Sequence, residues 1–315
     1  MTVKKAMAAA GMLLIALVGC SEEETMTEEN PSFERAELGN HLEDGHYQTV
    51  YDETSGEFQN QVPFKDFEKL GKEFLPSDTN LTRQSSFSLN GQDRDTWISG
   101  SGDKGVLAVF DETETIVGLQ LLPLESHPET DESYTDTSFQ LPFNGEWLVY
   151  WGGTNVLLNY HYEHESQRYA YDFLVSENGQ SFSGDATKNE SFSAFGKEVI
   201  APAGGTVVKV VDGIQDNTPV GAMNADEPAG NYVVIDHGNE EYGFLAHFQE
   251  GTIQVEEGME VEKGDLLGSA GNSGNSSEPH IHFHVSDTPE LMDGRSIRVK
   301  WDGDQTYTQG QMVSN

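Results

Sequence analysis

The chain is 315 residues long, with 54 Asp+Glu against 17 Lys+Arg and a formal net charge of -37. That length accommodates two domains, each able to bury its own core, and so acidic a surface repels polyphosphate, which argues against nucleic acid as a partner. Hydrophobic residues make up only 36 % of the chain, but 33 Gly, 16 Phe and 11 Tyr suit a turn-rich β protein better than a disordered one.

Lys4 and Lys5 precede an apolar run over residues 6–18. A bilayer span needs about 20 apolar residues, so residues 1–19 are predicted to be a signal peptide. Leu17-Val18-Gly19-Cys20 resembles a bacterial lipobox. That resemblance implies lipid on Cys20 and an exported protein anchored to the outer face of the cytoplasmic membrane. Cys20 is the only cysteine, so no intramolecular disulfide can form. Residues 20–30, with Glu22, Glu23, Glu24, Glu28 and Glu29, read as a solvated acidic tether.

Residues 31–125 read as a small α+β domain. Pro31-Ser32 starts a helix with Phe33, Ala36 and Leu42 on one face, and Phe64, Phe67, Leu70 and Phe74 mark a second that Pro76 stops. Strands are predicted at 83–89, 94–99, 105–110 and 115–122, separated by turn signals such as Asn90-Gly91. In order of elements the domain resembles cystatin-like or nuclear-transport-factor-like modules. His41 and His46 are read as structural, and no function is assigned to this half. Residues 126–139 are polar and acidic and are predicted to be a linker.

Residues 140–315 hold the chemistry, since seven of the ten histidines fall between 161 and 284. Residues 279–285 alternate His280, His282 and His284 with Ile281, Phe283 and Val285. A strand would put the three imidazoles on one face and the apolar residues on the other. Neutral imidazoles side by side call for a cation or a carboxylate. Residues 167–173 read as a further strand, with Asp172 opposite the face of Tyr169, Tyr171 and Phe173. Asn159 and His161 are expected to point the same way from a strand of their own. Gly-punctuated short strands at 207–211, 231–236 and 242–247 and a hairpin at 255–265 complete a mainly antiparallel all-β domain.

Residues 271–276 followed by Pro279-His280-Ile281-His282-Phe283 resemble the signature of the lysostaphin-like (LytM-type) zinc metallopeptidases, and Ala246-His247, residues 201–206 and Tyr171-Asp172-Phe173 fall in the matching order. The resemblance covers roughly residues 147–290. It implies one zinc ion, an antiparallel β groove and hydrolysis of peptide bonds in peptidoglycan. Asp172 and His282 become zinc ligands, and His247 and His280 the catalytic pair. Many members carry the remaining ligand four residues before the Asp, where this chain has Arg168. His161 and His164 are the alternatives, and His161 is preferred for its apolar flanks. His284 stands where the family more often has a carboxylate or amide, and is expected to orient a ligand or line the groove. The competing reading is a metal-free wall-binding or amidase-activator-like scaffold of the same fold.

Overall fold

The computed structural model describes residues 31–76 and 78–315. The signal peptide, the acidic tether and Cys20 lie outside the described residues. One compact unit ends at Glu125 and omits residues 87–91, while the other comprises Phe87–Gly91 and Ser126–Asn315.

In the first unit, helices Leu38–Glu43 (α1), Tyr47–Asp52 (α2), Gly56–Gln61 (α3) and Phe64–Phe74 (α4) precede the strands Thr82–Leu89 (β1), Gln92–Ile98 (β2), Lys104–Phe110 (β3) and Ile116–Pro123 (β4). These strands form a sheet in sequential order, antiparallel from β2 to β4. The first predicted helix is shorter than expected and is followed by α2 and α3, which the sequence does not announce. Each spans six residues, too few for a helical period to stand out. What fixes α3 is its cap: Ser55 Oγ accepts the Phe58 N–H at 3.2 Å. Helix α4 packs close to α2, since a Cβ at Gly71 would lie 2.3 Å from the Tyr47 ring. Leu38, Leu42, Val50, Val106 and Ile116 are fully buried against Phe67 and Trp97.

The second unit begins with helix Pro128–Asp131 (α5) and strands Tyr134–Phe139 (β5), Trp147–Trp151 (β6), Tyr171–Leu174 (β7) and Glu198–Ile200 (β8). It continues through Gly205–Val211 (β9), Asn231–Asp236 (β10), Tyr242–Phe248 (β11), Glu260–Val261 (β12) and Leu266–Ser269 (β13). Ile281–Ser286 (β14), Ser296–Trp301 (β15) and Met312–Val313 (β16) close the chain. The main sheet runs β12-β9-β10-β11-β14-β7-β6-β16, with β15 joined to β14 and β5, and β8 pairs with β13 apart from it. The resolved pairings are antiparallel except the parallel β15–β5 pair. The predicted linker is therefore structure: α5 and β5 occupy it, because Thr135 and Phe139 turn inward from an otherwise polar strand.

Strand β14 lies between β11 and β7, so its two faces are committed. Ile281, Phe283 and Val285 are fully buried in a core with Phe173, Leu245 and Phe248. Burying each such side chain contributes roughly 1.5–3 kcal/mol. That burial fixes the register, and a slip of one residue would drive the histidines into the core.

Candidate metal centre

The pairing of β7 with β14 sets His282 directly across from Asp172, and the pairing of β11 with β14 sets Ala246 across from His282 and Phe244 across from His284. His282 Nδ1 lies 2.9 Å from Asp172 Oδ1. On the same face His280 Nε2 is 3.8 Å from Asp172 Oδ1. Tyr171 and Phe173 point the other way, into the core.

His161 reaches the carboxylate by a different route from the one expected. It sits in a 3₁₀ turn over Tyr160–Glu163, not in a strand, and Asn159 caps that turn. The Asn159 amide donates to the carbonyls of Ala170 at 3.0 Å and Arg168 at 3.1 Å, which aims its oxygen back at His161. That oxygen accepts the His161 backbone N–H at 3.2 Å and the ring Nδ1–H at 2.9 Å. The ring tautomer is thereby fixed, and Nε2 faces Asp172 Oδ2 at 3.7 Å. His164 is exposed at the end of the turn and is not among the clustered ligand atoms. Arg168 braces the turn by donating from Nε to the Tyr162 carbonyl at 3.2 Å. One ligand atom each from His161, Asp172 and His282 lie within 4.8 Å of one another, all three residues being buried.

Two further imidazoles border this group. His247 sits at the end of β11 with φ +69°, which turns its ring toward His280, 4.7 Å away centroid to centroid. Its Nδ1–H donates to the Ser273 carbonyl at 2.8 Å. The His280 Nδ1–H donates to the Glu278 carbonyl at 2.8 Å. Both rings therefore direct Nε2 away from the backbone that holds them. The Ser273 carbonyl is positioned by its loop: Ser273 Oγ donates to the Phe248 carbonyl at 2.8 Å and accepts the Asn231 N–H at 2.9 Å. The loop passes so close to Gly230 that a Cβ there would come within 2.4 Å of Ser273.

Burial decides the charge states. It pushes the His161 imidazole down to about 3, against the opposing pull of Asp172, and lowers His247 and His284 well below the ordinary histidine range. Burial alone would raise the Asp172 carboxyl. The neighbouring His161 and His280 and the hydrogen bond from His282 outweigh it and hold the group below the usual carboxylate range. The result is an ionised carboxylate beside the neutral His161 imidazole, an arrangement that stabilises a divalent cation.

Cavities open on both sides of the group. One of about 330 Å³ is lined by Trp151, Tyr160, Asp172, Glu278 and His280 among others, and a smaller one of about 70 Å³ by His161, Phe244, His247 and His284. Tyr160 and Asn275 border both.

Residues 190–295 match the family model described as peptidase family M23. The chain carries a peptidase family M23 domain. The match includes His247, His280 and His282, whereas His161 and Asp172 precede it; the strand pairing above joins Asp172 to those residues, and His161 meets the group through Asp172. Over 91 residues the chain is 34 % identical to the peptidoglycan DD-endopeptidase ShyA of Vibrio cholerae, covering 29 % of this chain and 19 % of that protein. Over 93 residues it is 37 % identical to an uncharacterized metalloprotease of Haemophilus influenzae, covering 29 % of this chain and 17 % of that one. The chain thus spans about a fifth of the length of these relatives. Among solved structures, the M23 metalloprotease pseudoalterin aligns with a TM-score of 0.35 at 16 % identity, over 57 % of this chain and all of that one (100 %). Lysostaphin aligns with a TM-score of 0.26 at 17 % identity, over 40 % of this chain and 39 % of that one.

Of the residues the M23 resemblance nominates, His161, Asp172, His247, His280 and His282 come together, with His284 beside His282. Sequence reading passed over Asn159 as more than a neighbour of His161. Its signal was the cap position itself, an Asn two residues before a buried His.

Proposed function

We propose that this protein is a zinc-dependent endopeptidase that hydrolyses peptide bonds of peptidoglycan, exported and held by lipid on Cys20 at the outer face of the cytoplasmic membrane. The observation that carries the reading is the buried His161–Asp172–His282 group, its ligand atoms within 4.8 Å of one another, with His247 and His280 alongside. Two imidazole nitrogens and a carboxylate oxygen suit zinc, and three protein donors leave one position of a tetrahedron for water or substrate. Zinc bound there would supply Lewis acidity toward the scissile carbonyl and lower the pKa of a water.

The chain's own residues would do the rest. Asn159 holds the Nε2 of His161 toward the site, and Asp172 supplies the negative charge. His247 and His280, each anchored through Nδ1 to a backbone carbonyl, present Nε2 to the substrate side. One would accept the proton of the attacking water, and the other, protonated, would donate to the oxygen of the tetrahedral carbon and then to the leaving amine. The wider cavity beside Asp172 and His280 would receive the peptide.

The test is mass analysis of fragments released from purified cell walls by the full chain, with and without a chelator. The reading expects new peptide ends that disappear on chelation and return with zinc. A purified protein that contains no zinc and releases nothing would favour the metal-free scaffold.

A further inference from the structure

His284 is the member of the His280–His282–His284 series that the proposed chemistry leaves unused. It is 1 % exposed, and its ring lies parallel to Phe244 at 4.7 Å with an interplanar angle of 5°. Its Nδ1 is 2.8 Å from His282 Nε2, while its own Nε2 is buried with no hydrogen-bond partner among the described residues. A side chain held this rigidly, with one ring nitrogen engaged and the other orphaned, owes its placement to the engaged one.

The placement of the protons on that contact depends on the metal. Without metal, His282 Nδ1 faces the Asp172 carboxylate at 2.9 Å and must carry a proton to bond it. A neutral His282 then has a bare Nε2, and His284 must donate to it from Nδ1. With a divalent ion on His282 Nδ1, that nitrogen gives up its proton, Nε2 carries one, and His284 Nδ1 must accept. The pair holds two protons in both states, on the two Nδ1 atoms before and on the two Nε2 atoms after. Among side chains of this size, imidazole and carboxamide can serve in both directions. A carboxylate only accepts, and an aliphatic group does neither.

We propose that His284 is a positioning residue that partners His282 in both states, donating to it in the metal-free protein and accepting from it once the ion is bound. This rests on the zinc reading above. The test uses the full chain with ¹⁵N-labelled histidine at pH 8, read by the ring-nitrogen shifts that distinguish the two neutral tautomers. His284 is expected as the Nδ1–H form without metal and as the Nε2–H form after Zn²⁺ is added. A single His284 tautomer in both states overturns the proposal.

Chelator competition supplies the second readout. His284→Leu is expected to weaken Zn²⁺ binding by about 10–100-fold, and His284→Asn, which can present either an oxygen or an N–H, to restore it to within about 3-fold of the parent. Equal weakening in both variants overturns the proposal, as does no weakening in either. If His284→Leu does not fold, the tautomer measurement on the parent chain still decides. Asp172→Ala separates the two claims: if it keeps zinc, the metal site itself is misassigned, whereas loss of zinc there with none in His284→Leu removes only the role of His284.

Discussion

Each unit buries an aspartate on a β-strand, and the two are satisfied in opposite ways. Asp95 on β2 is 0 % exposed and meets two guanidinium groups, Arg35 Nε at 3.1 Å and Arg83 at 3.3 Å. Asp172 on β7 is 4 % exposed and meets only imidazoles, at 2.9, 3.7 and 3.8 Å. Arginine is charged at every accessible pH, so Asp95 is neutralised within the protein. Asp172 has no such permanently charged partner: burial keeps His161 neutral, and its other contacts are the imidazoles of His280 and His282. A buried carboxylate with permanent cationic partners reads as structure, and one ringed by metal-ligating side chains reads as a site.

Substituting the two aspartates separates these roles most sharply. Asp172→Ala should abolish wall hydrolysis and zinc content together, measured by fragment release and by metal analysis of purified protein. In chelator its thermal stability should also fall, because His282 Nδ1 loses its buried partner and the contacts that hold the carboxylate ionised are lost. Asp95→Ala should leave zinc stoichiometry unchanged but cost about 1.5–3 kcal/mol by denaturant unfolding, because two partly exposed guanidinium groups lose a shared carboxylate while Arg35 keeps Asp93. His247→Ala removes a proton carrier without removing a ligand. It should retain zinc and lose about 10²–10⁴-fold in hydrolysis rate.

Acid distinguishes the regions next. The folded, metal-free second unit holds His161, His247 and His284 neutral, whereas the unfolded chain protonates histidine near pH 6.5. Unfolding therefore takes up protons below that pH, so stability is complete above about 6.5 and falls as the pH drops toward about 3, where His161 itself protonates. The slope should approach about 1.4 kcal/mol per pH unit for each such histidine. Thermal melts from pH 8 to pH 4 in chelator should show it. The smallest expected change is in Asn159→Ala, which frees the His161 ring without removing a ligand and should weaken zinc binding by about 10–100-fold.

Much of the site was legible because strand periodicity is strict. The alternation from His280 to Val285 fixed which residues faced the core, and the four strands between 82 and 123 stood out between clear turn signals. His161 was legible as a residue but not as a geometry, since a capped 3₁₀ turn has no period and its aim depends on an Asn159 bond to Ala170, eleven positions on. The failure at 126–139 has a similar cause. Strand β5 shows the solvent mostly polar side chains, and its partner β15 lies far along the chain, so local composition could not reveal the pairing.

The central claim is that one divalent ion is shared by His161, Asp172 and His282. It is tested most directly by crystals of zinc-loaded protein measured on either side of the zinc absorption edge. The account predicts a single anomalous peak bounded by His161 Nε2, an Asp172 oxygen and His282 Nδ1. A peak held by the histidines of β14 without Asp172, or no peak at all, would contradict it.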